Sequence, residues 1–531
     1  MPPQLLARPP RRLHLRLDRE SGDTGQGMGD HGHAVSLGAP SAPSDPRSTM
    51  ARMSSAPSVS SSITVRLQVR ARPTAISDLT TAIEQAGGMV TALDITRSEH
   101  ERIGVDVTCA TRGEDHAEQI VEALRGLDGI TVERVSDRTF LMHLGGKLSI
   151  ESKVPLRNRD DLSMAYTPGV ARVCEAIAAR PEDARNLTIK RNTIAVVTDG
   201  TAVLGLGDIG PLAALPVMEG KAVLFKRFAG IDAFPIALDT TDVDEIVDTV
   251  CAIAPVFAGI NLEDISAPRC FEIERRLRER LDIPVFHDDQ HGTAIVALAA
   301  LTNALKVVEK DIATVRIVMS GAGAAGTAVL KLLLAAGARD VVVCDIEGMV
   351  HVDRPGLHES LLWTARSTNP RGMTGSLQDA VVGADVFIGL SAPDVLTGDD
   401  VARMAPGSIV FAMANPRPEV DPDEAAKYAA VVGTGRSDFA NQINNVLAFP
   451  GVFRGLLDAQ SHEVTTELLL AAAQALAEVV TDDELNPTYI IPSVFNPEVT
   501  TRVASAVEQA ARAGAARTAA TADHLEAAVV L

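Results

Sequence analysis

The sequence predicts an α/β protein with mainly parallel sheets, preceded by a small βαββαβ domain and followed by a helical C-terminal tail. Three observations predict this organisation. Residues 63–137 contain four strand-like and two helix-like runs. From Lys153 onwards, apolar strand-like runs alternate with helical runs, which is typical of parallel sheets. A glycine-rich turn joins a strand to a helix near residue 321, where a second αβ unit begins.

The predicted domain boundaries follow changes in composition and periodicity. The first segment is rich in Arg, Pro, Ser and Gly and has no apolar periodicity, so we expect it to be disordered. Four folded segments are expected after it. In order, the predicted segments are 1–61 (disordered tail), 62–144 (βαββαβ domain), 150–295 (αβ substrate and metal domain), 296–460 (dinucleotide-binding domain) and 461–531 (C-terminal helices that pack back on the catalytic domain).

The overall composition excludes several classes of partner. The formal net charge of −20 argues against nucleic acid or an anionic membrane as a partner. No run approaches the length of about eighteen apolar residues that a membrane span requires. The five cysteines are scattered and show no C-x-x-C spacing, which indicates reduced thiols and a cytoplasmic protein.

The first folded segment is predicted in the order βαββαβ. Alternation at 63–69 predicts a strand, and 74–86 predicts an amphipathic helix that ends at Gly87 and Gly88. The remaining predicted elements are strands at 89–98 and 102–110, a helix at 116–125 and a strand at 129–137. In order and size this segment resembles the ACT domain, a regulatory module. The resemblance implies a small-molecule effector at the turn after the first strand, and a dimerisation module is the alternative.

Both αβ units are predicted as strands separated by helices. In the first unit the predicted strands are 194–198, 221–226 and 234–239. Its predicted helices are 241–254, with three acidic residues in its first turn, and the long apolar run 293–308. In the second unit the predicted strands are 315–320, 340–345, 386–391, 408–414 and 430–433.

A glycine pattern carries the cofactor prediction. Gly321-x-Gly323-x-x-Gly326 lies between a predicted strand and helix, which places a pyrophosphate at a helix N-terminus in a Rossmann-type domain. Asp345 ends the next predicted strand, where it can accept hydrogen bonds from ribose and repel a 2′-phosphate. NAD is therefore favoured over NADP. The predicted cofactor residues are Gly321, Ala322, Gly323, Ala324, Ala325, Gly326 and Asp345.

Two acidic stretches predict a metal centre. Carboxylates within apolar αβ segments are costly to bury unless a cation lies among them. Glu263, Asp264 and Asp289 offer only oxygen ligands, which suit Mg²⁺ or Mn²⁺ better than zinc. Acidic helix caps are the alternative explanation. His287 and His291 flank Asp289, and we interpret them as packing residues rather than ligands.

Lys221 and Tyr166 are candidate acid–base residues. Lys221 begins the apolar run predicted as a strand, where burial would lower its pKa towards that of a base at neutral pH. A surface lysine is the alternative. Tyr166 is one of three tyrosines and precedes a Pro-Gly turn and a helix at 170–179. A core tyrosine is its default interpretation.

Taken together, the segments from Lys153 to the C-terminus resemble malic enzyme, most closely the shorter bacterial, NAD-linked type. The resemblance rests on motifs that are specific to this family. They are Ser-Met-Ala-Tyr-Thr-Pro-Gly-Val-Ala from residue 163, Thr-Asp-Gly-Thr-Ala-Val-Leu-Gly-Leu-Gly-Asp from 198, Pro-Val-Met-Glu-Gly-Lys from 216, Glu-Asp-Ile from 263, Asp-Asp-Gln-His-Gly-Thr-Ala from 288, Met-Ala-Asn-Pro from 413 and Asn-Gln-Ile-Asn-Asn-Val-Leu-Ala-Phe-Pro-Gly from 441.

The resemblance implies oxidative decarboxylation of L-malate to pyruvate and CO₂, with NAD and a metal held by the three carboxylates. It implies that Lys221 takes the hydroxyl proton, that Asp288 hydrogen-bonds Lys221, and that Tyr166 protonates C3. It places Asn415 at the nicotinamide. It further implies that Asn444 and Asn445 hold the substrate carboxylate.

One position departs from the family pattern. The larger eukaryotic enzymes carry an Arg two residues after Asp-Gly, where this chain has Ala202.

The resemblance also leaves open a malolactic reaction that yields lactate. A non-catalytic nucleotide sensor is the alternative from another class of function. Both modules resemble families that usually form dimers or larger assemblies, so we expect a homodimer or homotetramer.

Overall fold

The computed structural model describes residues 57–99, 101–203 and 205–529, and from residue 517 it describes the backbone alone. The predicted disordered tail lies outside the described residues as far as residue 56. Strand β1 begins at Ser58, earlier than the boundary predicted at residue 61. Within the described residues, no helix is both long and apolar enough to cross a membrane.

The N-terminal domain has the predicted βαββαβ order. Its elements are β1 (Ser58–Arg70), α1 (Ala75–Gln85), β2 (Met89–Ser98), β3 (Arg102–Thr111), α2 (Glu114–Arg125) and β4 (Ile130–Asp137). The four strands form an antiparallel sheet in the order β2-β3-β1-β4. Alternate residues of β1 are buried, because one face of the sheet packs on both helices.

A largely exposed segment leads to the second sheet. Its helices are α3 (Arg138–His143), α4 (Arg159–Ala165), α5 (Gly169–Ala179) and α6 (Ala184–Leu187). None of these four helices has a buried residue. We call residues 138–192 the connecting segment.

The second sheet is parallel, in the order β6-β5-β7-β8. Helices separate its strands, as the alternating pattern predicts. The elements are β5 (Thr193–Thr198), α7 (Gly210–Ala229), β6 (Asp232–Ala237), α8 (Val243–Ile253), β7 (Gly259–Leu262), α9 (Arg269–Arg280) and β8 (Val285–His287). A single π-helical turn, Asp288–Gly292, follows β8 and leads into α10 (Thr293–Val307).

The strand predicted at 221–226 is wrong, because these residues lie in helix α7. A short apolar run does not by itself distinguish a buried strand from a buried helix. The buried positions of α7 are spaced by three and four residues and so form one helical face. They are Ala214, Met218, Lys221, Ala222 and Phe225.

The third sheet has the order β11-β10-β9-β12-β13-β14, and its strands are parallel except for the short β11. All five strands predicted in this unit are confirmed. The elements are β9 (Arg316–Ser320), α11 (Ala324–Ala335), β10 (Asp340–Asp345), β11 (Gly348–Met349), α12 (Glu359–Ser367), α13 (Leu377–Ala380), β12 (Val386–Gly389), α14 (Gly398–Val401), β13 (Ile409–Ala412), α15 (Pro422–Ala425) and β14 (Val431–Thr434). The strand order reverses between β9 and β12, where such folds bind ligands.

The C-terminal region is helical, as predicted. It contains α16 (Phe449–Ala459), α17 (Thr466–Ala477) and α18 (Glu498–Val529). Helix α18 packs on α16 and α17, and α17 packs on α10. Helix α16 contacts α7 through the rings of Phe449 and Phe453, which lie 4.6 and 5.2 Å from that of Phe225. Helices α17 and α18 therefore pack against α10 and α16, and α16 in turn packs against α7 beside the second sheet.

Candidate active site and metal centre

The two acidic stretches meet at one edge of the second sheet. Strands β7 and β8 are parallel neighbours, so their carboxyl ends lie side by side. Glu263 and Asp264 follow β7, and Asp289 lies in the π-helical turn after β8. One carboxylate oxygen from each of the three residues lies within 4.8 Å of the others. The structure thus brings the three predicted ligands together.

Backbone and amide contacts hold this acidic cluster. Nδ2 of Asn261 donates to Glu263 at 2.8 Å, and the backbone N–H of Asp264 donates to Asp289 at 2.9 Å. The N–H of Ala202 donates to the carbonyl of Asp264 at 3.0 Å. Asn261 was missed by the sequence analysis. Its signal is its position two residues before Glu263, on the same side of a strand that ends at the cluster.

Burial disfavours the ionised form of the carboxyl groups in this cluster. Burial raises the pKa of Asp289 to about 6, although Lys221 acts in the opposite direction. Burial likewise raises the pKa of Glu263 and of Asp288 to about 7. Buried oxygens of Asn261 and Asp288 (Oδ1 in each) have no hydrogen-bond partner among the described residues. This all-oxygen set fits a hard divalent cation such as Mg²⁺ or Mn²⁺.

Lys221 lies against the cluster on the buried face of α7. Its Nζ is 2.5 Å from Oδ2 of Asp288 and 2.8 Å from Oε1 of Glu263. The ammonium also lies 4.3 Å from the centre of the Phe449 ring. The expected lowering of its pKa is wrong for this arrangement. Burial does lower the pKa of Lys221, but the charges of Asp288 and Glu263 outweigh burial and raise it above its ordinary value.

The two predicted substrate asparagines differ in their surroundings. Nδ2 of Asn445 donates to Oδ2 of Asp288 at 2.5 Å, so this side chain belongs to the cluster. The side-chain oxygen of Asn444 accepts from the N–H of Val446 at 3.0 Å and caps a short turn. A Cβ at Gly292 would lie 2.0 Å from Oδ1 of Asp288, so any larger residue there would displace this carboxylate.

Tyr166 stands apart from these contacts. It caps the C-terminus of α4, and 67% of its surface is exposed. Among the described residues, no hydrogen bond joins its hydroxyl to Lys221 or to the acidic cluster. The structure therefore places Tyr166 in the connecting segment, on an open surface of the chain.

The two histidines lie behind the cluster. His287 is fully buried, which lowers its pKa to about 4, and its Nδ1 is 3.8 Å from Oδ2 of Asp289. Nε2 of His291 lies 2.7 Å from Oε1 of Glu274 on α9. Arg278 also contacts Glu274, at 2.8 Å. Neither histidine is among the three side chains that form the candidate metal site.

The glycine-rich turn has the geometry that a dinucleotide requires. Gly321 follows β9 with φ of 109°, and a Cβ there would lie 2.3 Å from the carbonyl of Leu390. A Cβ at Gly326 would lie 2.1 Å from the carbonyl of Gly321, so this turn packs tightly against α11. Gly323 caps α11 and faces open space. The helix N-terminus is thus accessible to a pyrophosphate.

Asp345 ends β10, as predicted, and both of its carboxylate oxygens accept from Arg354. The first of these bonds measures 2.8 Å. Burial raises the pKa of Asp345, but the hydrogen bonds from Arg354 and the N–H of Glu347 lower it below its ordinary value. Asp345 is therefore ionised and forms an ion pair with Arg354. The sequence did not predict this partner.

Asn415 lies where loops of the second and third sheets meet. It follows β13, and its carbonyl lies 2.4 Å from the position of a Cβ at Gly205, in the loop after β5. A Cβ at Gly435, after β14, would lie 2.9 Å from its Nδ2. The third sheet therefore presents Asn415 towards the sheet that carries the acidic cluster.

Comparisons with known proteins agree with this geometry. Residues 145–278 match the family model for the malic enzyme N-terminal domain, and residues 290–512 match the model for the malic enzyme NAD-binding domain. The chain is 58% identical over 458 residues to the NAD-dependent malic enzyme of Geobacillus stearothermophilus, covering 86% of this chain and 95% of that protein. It is 55% identical to the bifunctional malic/malolactic enzyme of Bacillus subtilis, over 69% of this chain and 90% of that protein.

A solved structure shows the same fold. The NAD-dependent malic enzyme of Thermotoga maritima superposes with a TM-score of 0.68 and 47% identity, covering 70% of this chain and 99% of that chain. The family matches include Lys221, Glu263, Asp264 and the glycine-rich turn. From these matches and the arrangement of the site, the chain belongs to the malic enzyme family.

Proposed function

We propose that this malic enzyme oxidises L-malate with NAD and decarboxylates it to pyruvate and CO₂, in a reaction that depends on Mg²⁺ or Mn²⁺. The observation that carries the proposal is the contact of Lys221 with Glu263, at 2.8 Å, which puts a proton-transfer group beside a metal ligand. The names of the Geobacillus and Thermotoga relatives support the same reaction.

Glu263, Asp264 and Asp289 are the residues that would hold the cation. When bound, the cation supplies Lewis acidity at the C2 oxygen of the substrate and stabilises negative charge there during loss of CO₂. The hydrogen bond from the backbone N–H of Asp264 to Oδ2 of Asp289 keeps these two ligands together at the ends of β7 and β8. Nδ2 of Asn261 orients Glu263 from within β7.

Lys221 takes the proton of the C2 hydroxyl. Asn415 would hold the nicotinamide, which when bound would supply the acceptor for the hydride of C2. The negative charges of Asp288 and Glu263 hold the proton on Lys221 in the free enzyme. A divalent charge on the ligands would offset this effect and lower the pKa of Lys221 towards that of a base. Asp288 orients the ammonium, because its Oδ2 accepts from both Lys221 and Asn445.

The later steps are assigned to the connecting segment and to the loop before α16. Tyr166 donates a proton to C3 after CO₂ has left, which gives pyruvate. Asn444 and Asn445 hold the substrate carboxylate. Because Asn445 also contacts Asp288, binding of the carboxylate is linked directly to the position of Lys221.

Further copies of the chain cover the connecting segment in a homo-oligomer. Large apolar side chains are exposed along it, including Phe140, Met142, Leu144, Ile150, Val154, Leu156 and Met164. Exposed apolar surface of this extent marks an interaction surface. A homodimer or homotetramer that buries it also encloses Tyr166, which lies in the same segment. The role assigned to Tyr166 therefore depends on association.

The N-terminal βαββαβ domain serves as an ACT-like regulatory module that binds a small-molecule effector, or as a dimerisation module. Its antiparallel sheet in the order β2-β3-β1-β4 supports this assignment. The match to the Geobacillus enzyme covers 458 residues, more than the stretch from residue 145 to the C-terminus, so it extends into this domain. The five unpaired cysteines suit a cytoplasmic location.

The test is a mass balance. With L-malate, Mn²⁺ and NAD, the protein should produce NADH and pyruvate in equal amounts. Consumption of malate with lactate as the product and no net NADH would favour the malolactic reaction, which the name of the Bacillus subtilis relative includes. Absence of any turnover, with NAD binding intact, would favour the non-catalytic sensor.

A further inference from the structure

A buried carboxylate that the reaction scheme does not use lies at the centre of the third sheet's ligand-binding edge. Glu419 is fully buried in the loop that follows β13. Its Oε1 accepts from the backbone N–H of Ser391 at 2.8 Å, and its Oε2 accepts from the N–H of Ala414 at 2.9 Å. These two amides lie just beyond the ends of the neighbouring strands β12 and β13.

The surrounding chain is shaped to admit this side chain. A Cβ at Gly389, the last residue of β12, would lie 2.4 Å from Cδ of Glu419, so only glycine leaves room for the carboxylate. The hydroxyls of Ser391 and Ser320 lie 2.8 Å apart and extend the network to the end of β9. Glu419 therefore connects the ends of three parallel strands at the point where the strand order reverses.

The carboxylate has no cationic partner among the described residues. Burial raises the pKa of Glu419, and the N–H groups of Ser391 and Ala414 act against this rise. Two backbone N–H groups and, at 3.5 Å, the hydroxyl of Ser391 donate to the carboxylate. Burying a charge among neutral donors alone costs more than burying a neutral side chain that joins the same loops. Such a group is more often found where a functional site depends on its geometry.

Both amides adjoin residues of the cofactor site. Ala414 directly precedes Asn415, which is assigned to the nicotinamide. Ser391 directly follows Leu390, whose carbonyl lies against the fingerprint glycine Gly321. A shift of the Glu419 carboxylate would therefore move both the segment that carries Asn415 and the segment that contacts Gly321.

We propose that Glu419 is a positioning residue for the nicotinamide half of NAD, acting through the backbone amides of Ser391 and Ala414. The inference rests on the proposed function insofar as Asn415 contacts the nicotinamide. Two carboxylate oxygens match two N–H donors. A glutamine of the same shape offers one acceptor and one NH₂ group, so one of the two amides would face a donor.

The experiment compares Glu419→Gln with Glu424→Gln, a matched change at an exposed glutamate on α15 that pairs with Lys427 on the surface. NAD affinity is measured by calorimetry, and Mn²⁺ affinity by electron paramagnetic resonance. Glu419→Gln should weaken NAD binding about ten-fold and leave Mn²⁺ binding within about two-fold of the wild type. Glu424→Gln should change neither.

A second variant keeps the carboxylate but displaces it. Gly389→Ala adds one methyl group against Glu419 and should weaken NAD binding in the same way. The inference is overturned if NAD affinity in Glu419→Gln stays within two-fold of the wild type, even when thermal stability falls. It is also overturned if Mn²⁺ affinity falls as much as NAD affinity, since that shows a global defect. Failure of the wild-type enzyme to reduce NAD with malate would instead defeat the proposed function, and the binding titrations do not depend on it.

Discussion

Nζ of Lys221 lies 2.8 Å from Oε1 of Glu263, so the proposed base touches a proposed metal ligand. The two side chains come from different elements, α7 and the end of β7. A lysine ammonium and a divalent cation next to the same carboxylate repel each other. Metal binding and the protonation of Lys221 are therefore coupled, and each should weaken the other.

Replacement of Lys221 separates these two effects. Lys221→Met keeps the length of the side chain but removes the ammonium, so turnover should fall by a factor of about 10²–10⁴, the usual contribution of a general base. Mn²⁺ should bind more tightly than in the wild type, because a competing positive charge is gone. Lys226→Met is the control, since this lysine lies exposed on the same helix. NAD reduction and Mn²⁺ titration by electron paramagnetic resonance measure the two quantities. Unchanged turnover would refute the assignment of Lys221.

Asp289 is the ligand that joins the two strands at the metal site. Asp289→Asn keeps an acceptor for the N–H of Asp264 but removes a negative charge from the cluster. Mn²⁺ affinity should fall about 100-fold, and activity should be recovered only in part at high Mn²⁺. Asp244→Asn, at an exposed aspartate that pairs with Arg276, should leave Mn²⁺ affinity unchanged. Equal Mn²⁺ affinity in both variants would exclude Asp289 as a ligand.

The sequence allowed the metal ligands to be predicted because carboxylates within apolar αβ segments are costly to bury unless a cation lies among them. Parallel strands end at the same edge of a sheet, so residues more than twenty positions apart in the chain converge there. The fingerprint glycines were predictable for a related reason, since strand, turn and helix are contiguous. In both cases the relevant geometry is local or follows from the parallel pairing.

Other features depend on tertiary contacts that no local pattern encodes. The apolar run after Lys221 is compatible with a strand or with a helix. The helix is favoured by its packing against α16 and β5, which the local sequence does not show. The raised pKa of Lys221 follows from carboxylates that lie more than forty residues away in sequence. Glu419 shows no motif of its own, because its partners are the backbone amide of Ala414 in its own loop and that of Ser391 in the loop after β12.

The ion pair of Asp345 with Arg354 makes cofactor preference testable. Asp345→Ser removes the charge that repels a 2′-phosphate and frees Arg354 to pair with one. The ratio of kcat/KM for NAD to that for NADP should fall about ten-fold or more, chiefly through a lower KM for NADP. Initial rates with each cofactor measure this ratio. Asp353→Asn, at an exposed neighbour, should leave the ratio as it is in the wild type. An unchanged ratio in Asp345→Ser would show that preference is set elsewhere.

Glu274 links α9 to the turn that carries Asp289, and its ionisation should stabilise the fold. Burial by itself raises its pKa, but His291 and Arg278 outweigh burial and hold the pKa at about 2, below the ordinary value of 4.5. A lowered pKa contributes stability that is complete above pH 4.5 and is lost as the pH falls towards 2. Glu274→Gln should lower the free energy of unfolding by about 2 kcal/mol at pH 7.

The pH dependence distinguishes this ion pair from simple packing. In urea unfolding, the difference between the wild type and Glu274→Gln should shrink between pH 4.5 and pH 3, because the wild-type carboxylate then begins to lose its advantage. Glu272→Gln, on the exposed side of the same helix, should change stability little at any pH. A difference that stays constant with pH would assign the effect to packing alone.

The connecting segment should set both assembly and turnover. Ile150 is 85% exposed in the single chain and lies in the connecting segment, which also contains Tyr166. Ile150→Glu places a charge in an interface that must exclude water, so the protein should sediment as a monomer in analytical ultracentrifugation. Turnover should fall with the fraction of monomer, whereas Mn²⁺ and NAD should still bind, because their proposed ligands lie in the αβ domains. Val382→Glu, at an exposed apolar residue outside this segment, should keep the wild-type assembly. A fully active monomeric Ile150→Glu variant would show that Tyr166 needs no second copy.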